Sequence, residues 1–228
     1  MLQNNRNILF SKKKETLNEF PVWKEIGEDN LIYKKEMKSL DSDLQDLVSN
    51  NVIDLELAKQ VHELCALEKD NQRAEKLKNL HPDLWPAEYR VQEHLCSKFG
   101  MVLFLGGFLS KDNLEKIHQA HFRQLKNTCL EDYGKALFYP GAFIHVRILS
   151  LLCTASGVKA LKKGNCKINE LIELEGWQVK CLNCTEGLNA LEKGLLTTEL
   201  ALKFESPKKF KELYKELECS TETTTLGL

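Results

Sequence analysis

Ala142–Ala155, AFIHVRILSLLCTA, decides the fold class. At helical period Arg147, Ser150 and Thr154 make a thin polar stripe, and Phe143, Ile144, Val146, Ile148, Leu149, Leu151, Leu152 and Cys153 fill the rest of the circumference. A helix apolar over most of its surface needs other helices around it. Pro140-Gly141 in front and Ser156-Gly157 behind are start and stop signals. The segment is therefore expected to be a core helix of about four turns, well short of the ~20 residues that span a bilayer.

The flanking sequence supplies amphipathic partners. Upstream, Ser110 is placed to cap a helix with Leu114, Ile117, Phe122 or His121, Leu125 and Cys129 inward, ended by Tyr133-Gly134. Phe99–Leu109, FGMVLFLGGFL, is assigned to helix, because no second strand lies nearby to pair with it. His81–Pro86 carries two prolines and is taken as the main internal boundary. Before it, Asn51 or Asp54 caps one long helix with Ile53, Leu57, Val61 and Leu64 inward and charged residues through Lys76 outward, and Asp41 or Ser42 caps a shorter one. Downstream, Val158–Lys167 reads as a basic loop, and Ile168–Phe204 as a helical stretch bent at Gly176, Gly187 or Gly194. Ser206-Pro207 opens a last helix. No internal repeat at a fixed period is evident.

The expected fold is all-α, an irregular multi-helix bundle around a central helix at about 142–155. Its expected layout is a basic arm over 1–22, an N-terminal helical segment over 23–80, a helical core over 81–205, an amphipathic helix over 206–218 and a flexible tail over 219–228. With 43% hydrophobic residues the chain can bury a core. A net charge of -1, with acidic and basic residues interleaved, gives no global electrostatic case for nucleic acid or an anionic membrane. The first twenty residues lack the apolar run of a secretory signal, so a cytoplasmic location is expected, without a transmembrane segment. The eight cysteines are scattered at unrelated spacings and are expected to be reduced thiols.

A few side chains could carry chemistry. Cys181-Leu-Asn-Cys184 has the spacing of half a zinc knuckle, which Cys153 and Cys166 could complete; both cysteines also fall on an apolar helical stripe where a structural thiol fits. His118 and His121, on adjacent turns of one helix, could share an ion, yet no glutamate stands between them as in H-E-x-x-H. A thiol nucleophile needs a base in reach, and neither His94 with Cys96 nor His145 with Cys153 has a helical spacing that lets the pair touch. Arg147 is the lone charge of the central helix and, with His145 nearby, could hold an anion or a partner carboxylate; Lys162 and Lys163 add a local basic patch. No phosphate-binding glycine motif is present. No catalytic residue and no cofactor is therefore expected, zinc being the one metal the cysteines and histidines would suit.

The end of the chain, KELYKELECSTETTTLGL, has glutamates at 212, 216, 218 and 222, then Ser220, Thr221, Thr223, Thr224 and Thr225, with Leu226 third from the end. It resembles the C-terminal translocation signals of type IV-secreted effectors of intracellular bacteria. The resemblance covers about the last eighteen residues. It implies a protein passed into a host cell or an adaptor subunit of a secretion apparatus. The expected function is a non-enzymatic helical module that binds another protein through helix surfaces and through exposed regions around Trp85 or Phe108. A thiol- or zinc-dependent enzyme built from the Cys/His residues is the competing reading.

Overall fold

The structure is a computed structural model that describes residues 27–67, 69–127 and 144–225, with side chains described over 32–67, 69–120 and 144–216. The expected N-terminal arm, Tyr133-Gly134 and Pro140-Gly141 lie outside these residues. Every regular element described is helical, so the all-α expectation holds. The chain divides into two bodies after Ser39. In the first, α1 spans Gly27–Ser39 and exposes Ile32 and Tyr33.

The second body contains α2 (Ser42–Ser49), α3 (Leu55–Cys65), α4 (Asp70–Leu80), a single 3-10 turn at Pro82–Leu84, α5 (Tyr89–Leu95), α6 (Lys98–Leu105) and α7 (Lys111–Asn127). After the undescribed stretch come α8 (Ile144–Leu152), α9 (Ala155–Lys163), α10 (Ile168–Leu171), α11 (Gly176–Leu182), α12 (Thr185–Lys193), α13 (Thr198–Leu202) and α14 (Pro207–Thr225). Helix α8 is the central post: α5, α6, α7, α9 and α11 all pack on it, and Ile144, Ile148, Leu149, Leu151 and Leu152 are buried. Each such side chain taken out of water contributes about 1.5–3 kcal/mol.

Several boundaries differ from expectation. The central helix is shorter than 142–155, because Thr154 is not part of its polar stripe. Thr154 adopts extended backbone and its Oγ1 accepts the Gly157 amide at 2.9 Å, which starts α9 at an 85° bend from α8. The stretch expected to be a basic loop is therefore mostly the helix α9. The long helix expected through Lys76 is two helices, α3 and α4. Arg73 holds the break: Nε donates to the Leu64 carbonyl at 3.2 Å, Nη2 donates to the carbonyls of Leu67 at 2.8 Å and Cys65 at 3.3 Å, and Nη1 pairs with Asp70. A guanidinium is suited to collecting the orphan carbonyls of a helix end. The two prolines of His81–Pro86 separate helices within the second body, where Trp85 packs edge-on against Phe104 at 5.8 Å. The tail expected to be flexible from 219 is helical through Thr225 as part of α14.

A recurrence underlies these boundaries. Asp41, Ser97, Thr154 and Cys184 are extended caps whose side chains accept an amide from the first helical turn. Ten residues after each cap stands a left-handed residue, Asn51, Gly107, Gly164 or Gly194, with φ of 55°, 69°, 78° and 74°; among the described residues these are the positive-φ positions. The next amide closes the helix end by bonding back five residues in all four cases, Val52 to Leu47, Phe108 to Leu103, Asn165 to Ala160 and Leu195 to Ala190, at 2.9–3.0 Å. Three residues beyond the left-handed position come Asp54, Ser110, Lys167 and Thr197, where the next helix begins, and the side chains of Asp54, Ser110 and Thr197 accept its amides. Successive caps lie 56, 57 and 30 residues apart, so the cap unit recurs without a fixed period.

In the last three units a glycine occupies the third helical position because the preceding helix ends against it. A Cβ on Gly100, Gly157 or Gly187 would lie 1.9, 2.2 or 2.5 Å from the carbonyl oxygen of His94, Leu151 or Cys181 respectively.

The units also touch one another. Lys98 Nζ pairs with Asp41 at 2.9 Å and Asp43 at 2.7 Å, joining the second unit to the first. Lys159, whose side chain is only 12% exposed, pairs with Asp46 at 2.5 Å and Glu192 at 2.9 Å, joining the first, third and fourth. Burial alone would raise the Glu192 pKa, but the Ser156 hydroxyl and the Lys159 ammonium outweigh it and hold it below the usual carboxylate range. Between the third and fourth units, Asn165 Nδ2 donates to the Leu191 carbonyl at 2.9 Å and the Thr198 amide donates to the Asn165 carbonyl at 3.0 Å.

Candidate functional site

Three helices that share the second body bring one constellation together. Glu88 stands immediately before α5, at the N-cap position, with extended backbone, and its carboxylate makes no capping bond to that helix. It turns instead toward two imidazoles. Oε1 lies 2.8 Å from His145 Nε2 on α8, and Oε2 lies 3.2 Å from His118 Nδ1 on α7. The imidazole rings meet edge-to-face, with centroids 5.7 Å apart and planes at 73°.

Burial grades across the group. His145 is 1% exposed, while the Glu88 side chain is 29% and the His118 side chain 48% exposed. The cluster is anchored in the core at one end and opens to solvent at the other. Burial would raise the Glu88 pKa, but the bond to His145 and the charges of His145 and His118 hold it below the usual range. A carboxylate with two imidazoles can share protons or ligate a divalent ion. Among the described residues it is the grouping of His, Cys, Asp or Glu donors close enough for one ion, all three donor atoms lying within 4.8 Å of one another.

The other candidates disperse. Cys153, Cys166, Cys181 and Cys184 do not form a described four-thiolate cluster. Cys184 is a helix cap: its Sγ accepts the Gly187 amide at 3.3 Å and donates to the Cys181 carbonyl at 3.0 Å. Burial pushes the Cys96 thiol up to about 11 and those of Cys153 and Cys166 up to about 12, and it raises Cys181 and Cys184 as well. Burial of this kind favours the neutral thiol over the thiolate that a nucleophile needs.

Arg147 and His145 do not converge on an anion. Arg147 Nη1 donates to the Gly176 carbonyl at 2.9 Å and ties α8 to the start of α11, whereas His145 faces Glu88. Lys162 lies 5.8 Å over the Phe108 ring, and Lys163 donates to the Glu192 carbonyl at 3.1 Å. Trp85 and Phe108 are half-buried instead of exposed. His118 belongs to the cluster through Glu88; the side chain of His121 lies outside those described.

Glu88 is the residue that sequence reasoning missed. It stands 30 residues from His118 and 57 from His145, and a charged residue just before a helix is ordinary, so nothing local marks it.

One surface position also distinguishes the last cap unit. The residue after the left-handed position is buried at Val52 and half-buried at Phe108, over which Lys162 of the third unit lies, and at Asn165, which donates to Leu191 of the fourth, but Leu195 is 45% exposed. Leu202, at the end of α13, is 37% exposed. No single described helix is long and apolar enough to cross a membrane. Comparison with protein-family models, curated proteins and solved structures finds no match.

Proposed function

We propose that the chain is a non-enzymatic helical interaction module that docks another protein on its stacked cap units. The observation that carries this reading is Leu195, 45% exposed at a position that is buried or half-buried in the other three units. An apolar side chain left in solvent at a position that is more buried in the other units is a contact a partner can cover. The high thiol pKa values speak against a cysteine nucleophile and so support the binding reading over the thiol-enzyme alternative. As for biological setting, the glutamate-rich, Ser/Thr-rich C-terminus supports a translocated effector acting on a host protein, or an adaptor of a secretion apparatus, synthesised in the cytoplasm.

Affinity capture from bacterial and host lysates, with Leu195→Glu and Leu202→Glu as paired controls, tests the reading. The parent chain is expected to retain one protein specifically, and the double substitution to reduce its recovery at least about tenfold, the usual loss when an interface anchor is removed. The melting temperature is expected to stay unchanged. Recovery from host lysate alone identifies the effector setting, and recovery from bacterial lysate the adaptor setting. Capture that is absent, or indifferent to both substitutions, refutes docking at this end.

A further inference from the structure

We propose that Glu88, His118 and His145 form a binding site for one borderline divalent metal ion of the zinc class. A carboxylate and two neutral imidazoles are a donor set that zinc accepts, and they leave an M²⁺ complex with one net positive charge. The spacing fits. Two donor atoms each about 2.1 Å from a tetrahedral ion lie about 3.4 Å apart; here one donor atom from each residue lies within 4.8 Å of the others, and an entering ion replaces the direct contacts of Oε1 with His145 at 2.8 Å and of Oε2 with His118 at 3.2 Å. His118, the more exposed member, can swing through the small distance that convergence on one ion requires.

Three features separate this cluster from a chance surface contact. Glu88 occupies a cap position yet leaves its helix uncapped and commits its carboxylate to the histidines. His145 is held by the core, so one ligand is set before any ion arrives. The rings are inclined at 73° instead of stacked, and each presents a nitrogen to one oxygen of the carboxylate. Three protein ligands with a solvent-facing fourth position are the coordination of a site that exchanges a ligand, in contrast to the four closed ligands of a structural zinc. The fourth ligand is water or a small anion. This site does not depend on the docking surface at Leu195.

The test uses the full chain, stripped with chelator and kept under a non-thiol reductant, and titrated with Zn²⁺ by calorimetry and with Co²⁺ by visible absorption. The parent chain is expected to bind one ion and to show the weak visible bands of cobalt held by nitrogen and oxygen. Glu88→Gln and His118→Ala are each expected to weaken zinc binding about 100-fold, at or above the loss seen when a ligand's supporting group is removed. The metal-free melting temperature of His118→Ala is expected to match the parent, since its side chain is about half exposed, whereas Glu88→Gln, which weakens the bond to buried His145, is expected to lower it modestly. The cobalt spectrum of the unaltered chain is informative whether or not a variant folds. Fewer than about one ion per ten chains, an intense thiolate-to-cobalt band, or variants that bind as the parent does would overturn the proposal, the last two assigning the metal to cysteines or to another site.

Discussion

Alanine in place of Gly157 is expected to destabilise the second body by about 3 kcal/mol, the upper part of the range for overpacking a tight site. In a body of this size that lowers the melting temperature by about 6–12 °C. The new methyl would sit 2.2 Å from the Leu151 carbonyl oxygen and 2.9 Å from both the Leu152 carbonyl oxygen and Thr154 Oγ1. Two of these are backbone atoms at the end of α8, so no side-chain rotation relieves the overlap. Either the central helix moves off the first turn of α9 or the Thr154 cap is lost. Gly164→Ala is the control. It meets nothing within 4 Å, but its φ of 78° makes it carry left-handed strain of about 1–2 kcal/mol. Thermal melts of the two variants are expected to rank Gly157→Ala well below Gly164→Ala, and a reversed order would mean that α8 does not end against α9 as described.

Phe210→Ala is expected to cost about 3–5 kcal/mol, as for other fully buried aromatic truncations. Phe210 is 0% exposed and makes edge contacts with Phe204 at 4.6 Å and Trp177 at 6.0 Å. It is the apolar anchor by which α14 packs on α11 and α12, and the neighbouring Tyr214 Oη bond to the Cys181 carbonyl at 2.9 Å depends on the same docking. Removal leaves a cavity that three aromatic neighbours cannot close. The expected readouts are a lower melting temperature and faster tryptic cleavage at Lys208, Lys209 and Lys211. Unchanged cleavage would show that α14 is held elsewhere.

The two variants probe what the sequence displayed with different clarity. Helical periodicity identified α6, α7 and the core helix, and the caps Asp54 and Ser110 stand where the local rules put them. Periodicity failed at Thr154 because both sides of the 85° corner are buried, so apolar residues continue in helical step straight through it. The recurrence was hidden for another reason. What repeats is backbone geometry, and the residues that provide it are interchangeable: Asp, Ser, Thr or Cys can cap a helix, and Asn or Gly can take a positive φ. Unequal intervals between caps then conceal the match from a search at one period. The cluster was half visible: His118 and His145 stood out as histidines on core helices, but only tertiary packing could place Glu88 between them.

The central structural claim is that one cap-to-cap unit occurs four times and that a left-handed residue closes each copy. Backbone chemical shifts and three-bond H–N–C–H couplings from an assigned NMR spectrum test it most directly. Positive φ is predicted at Asn51, Gly107, Gly164 and Gly194 alike. Right-handed helical values at any of them, and at Gly194 above all, would join α12 to the segment after it and contradict the account.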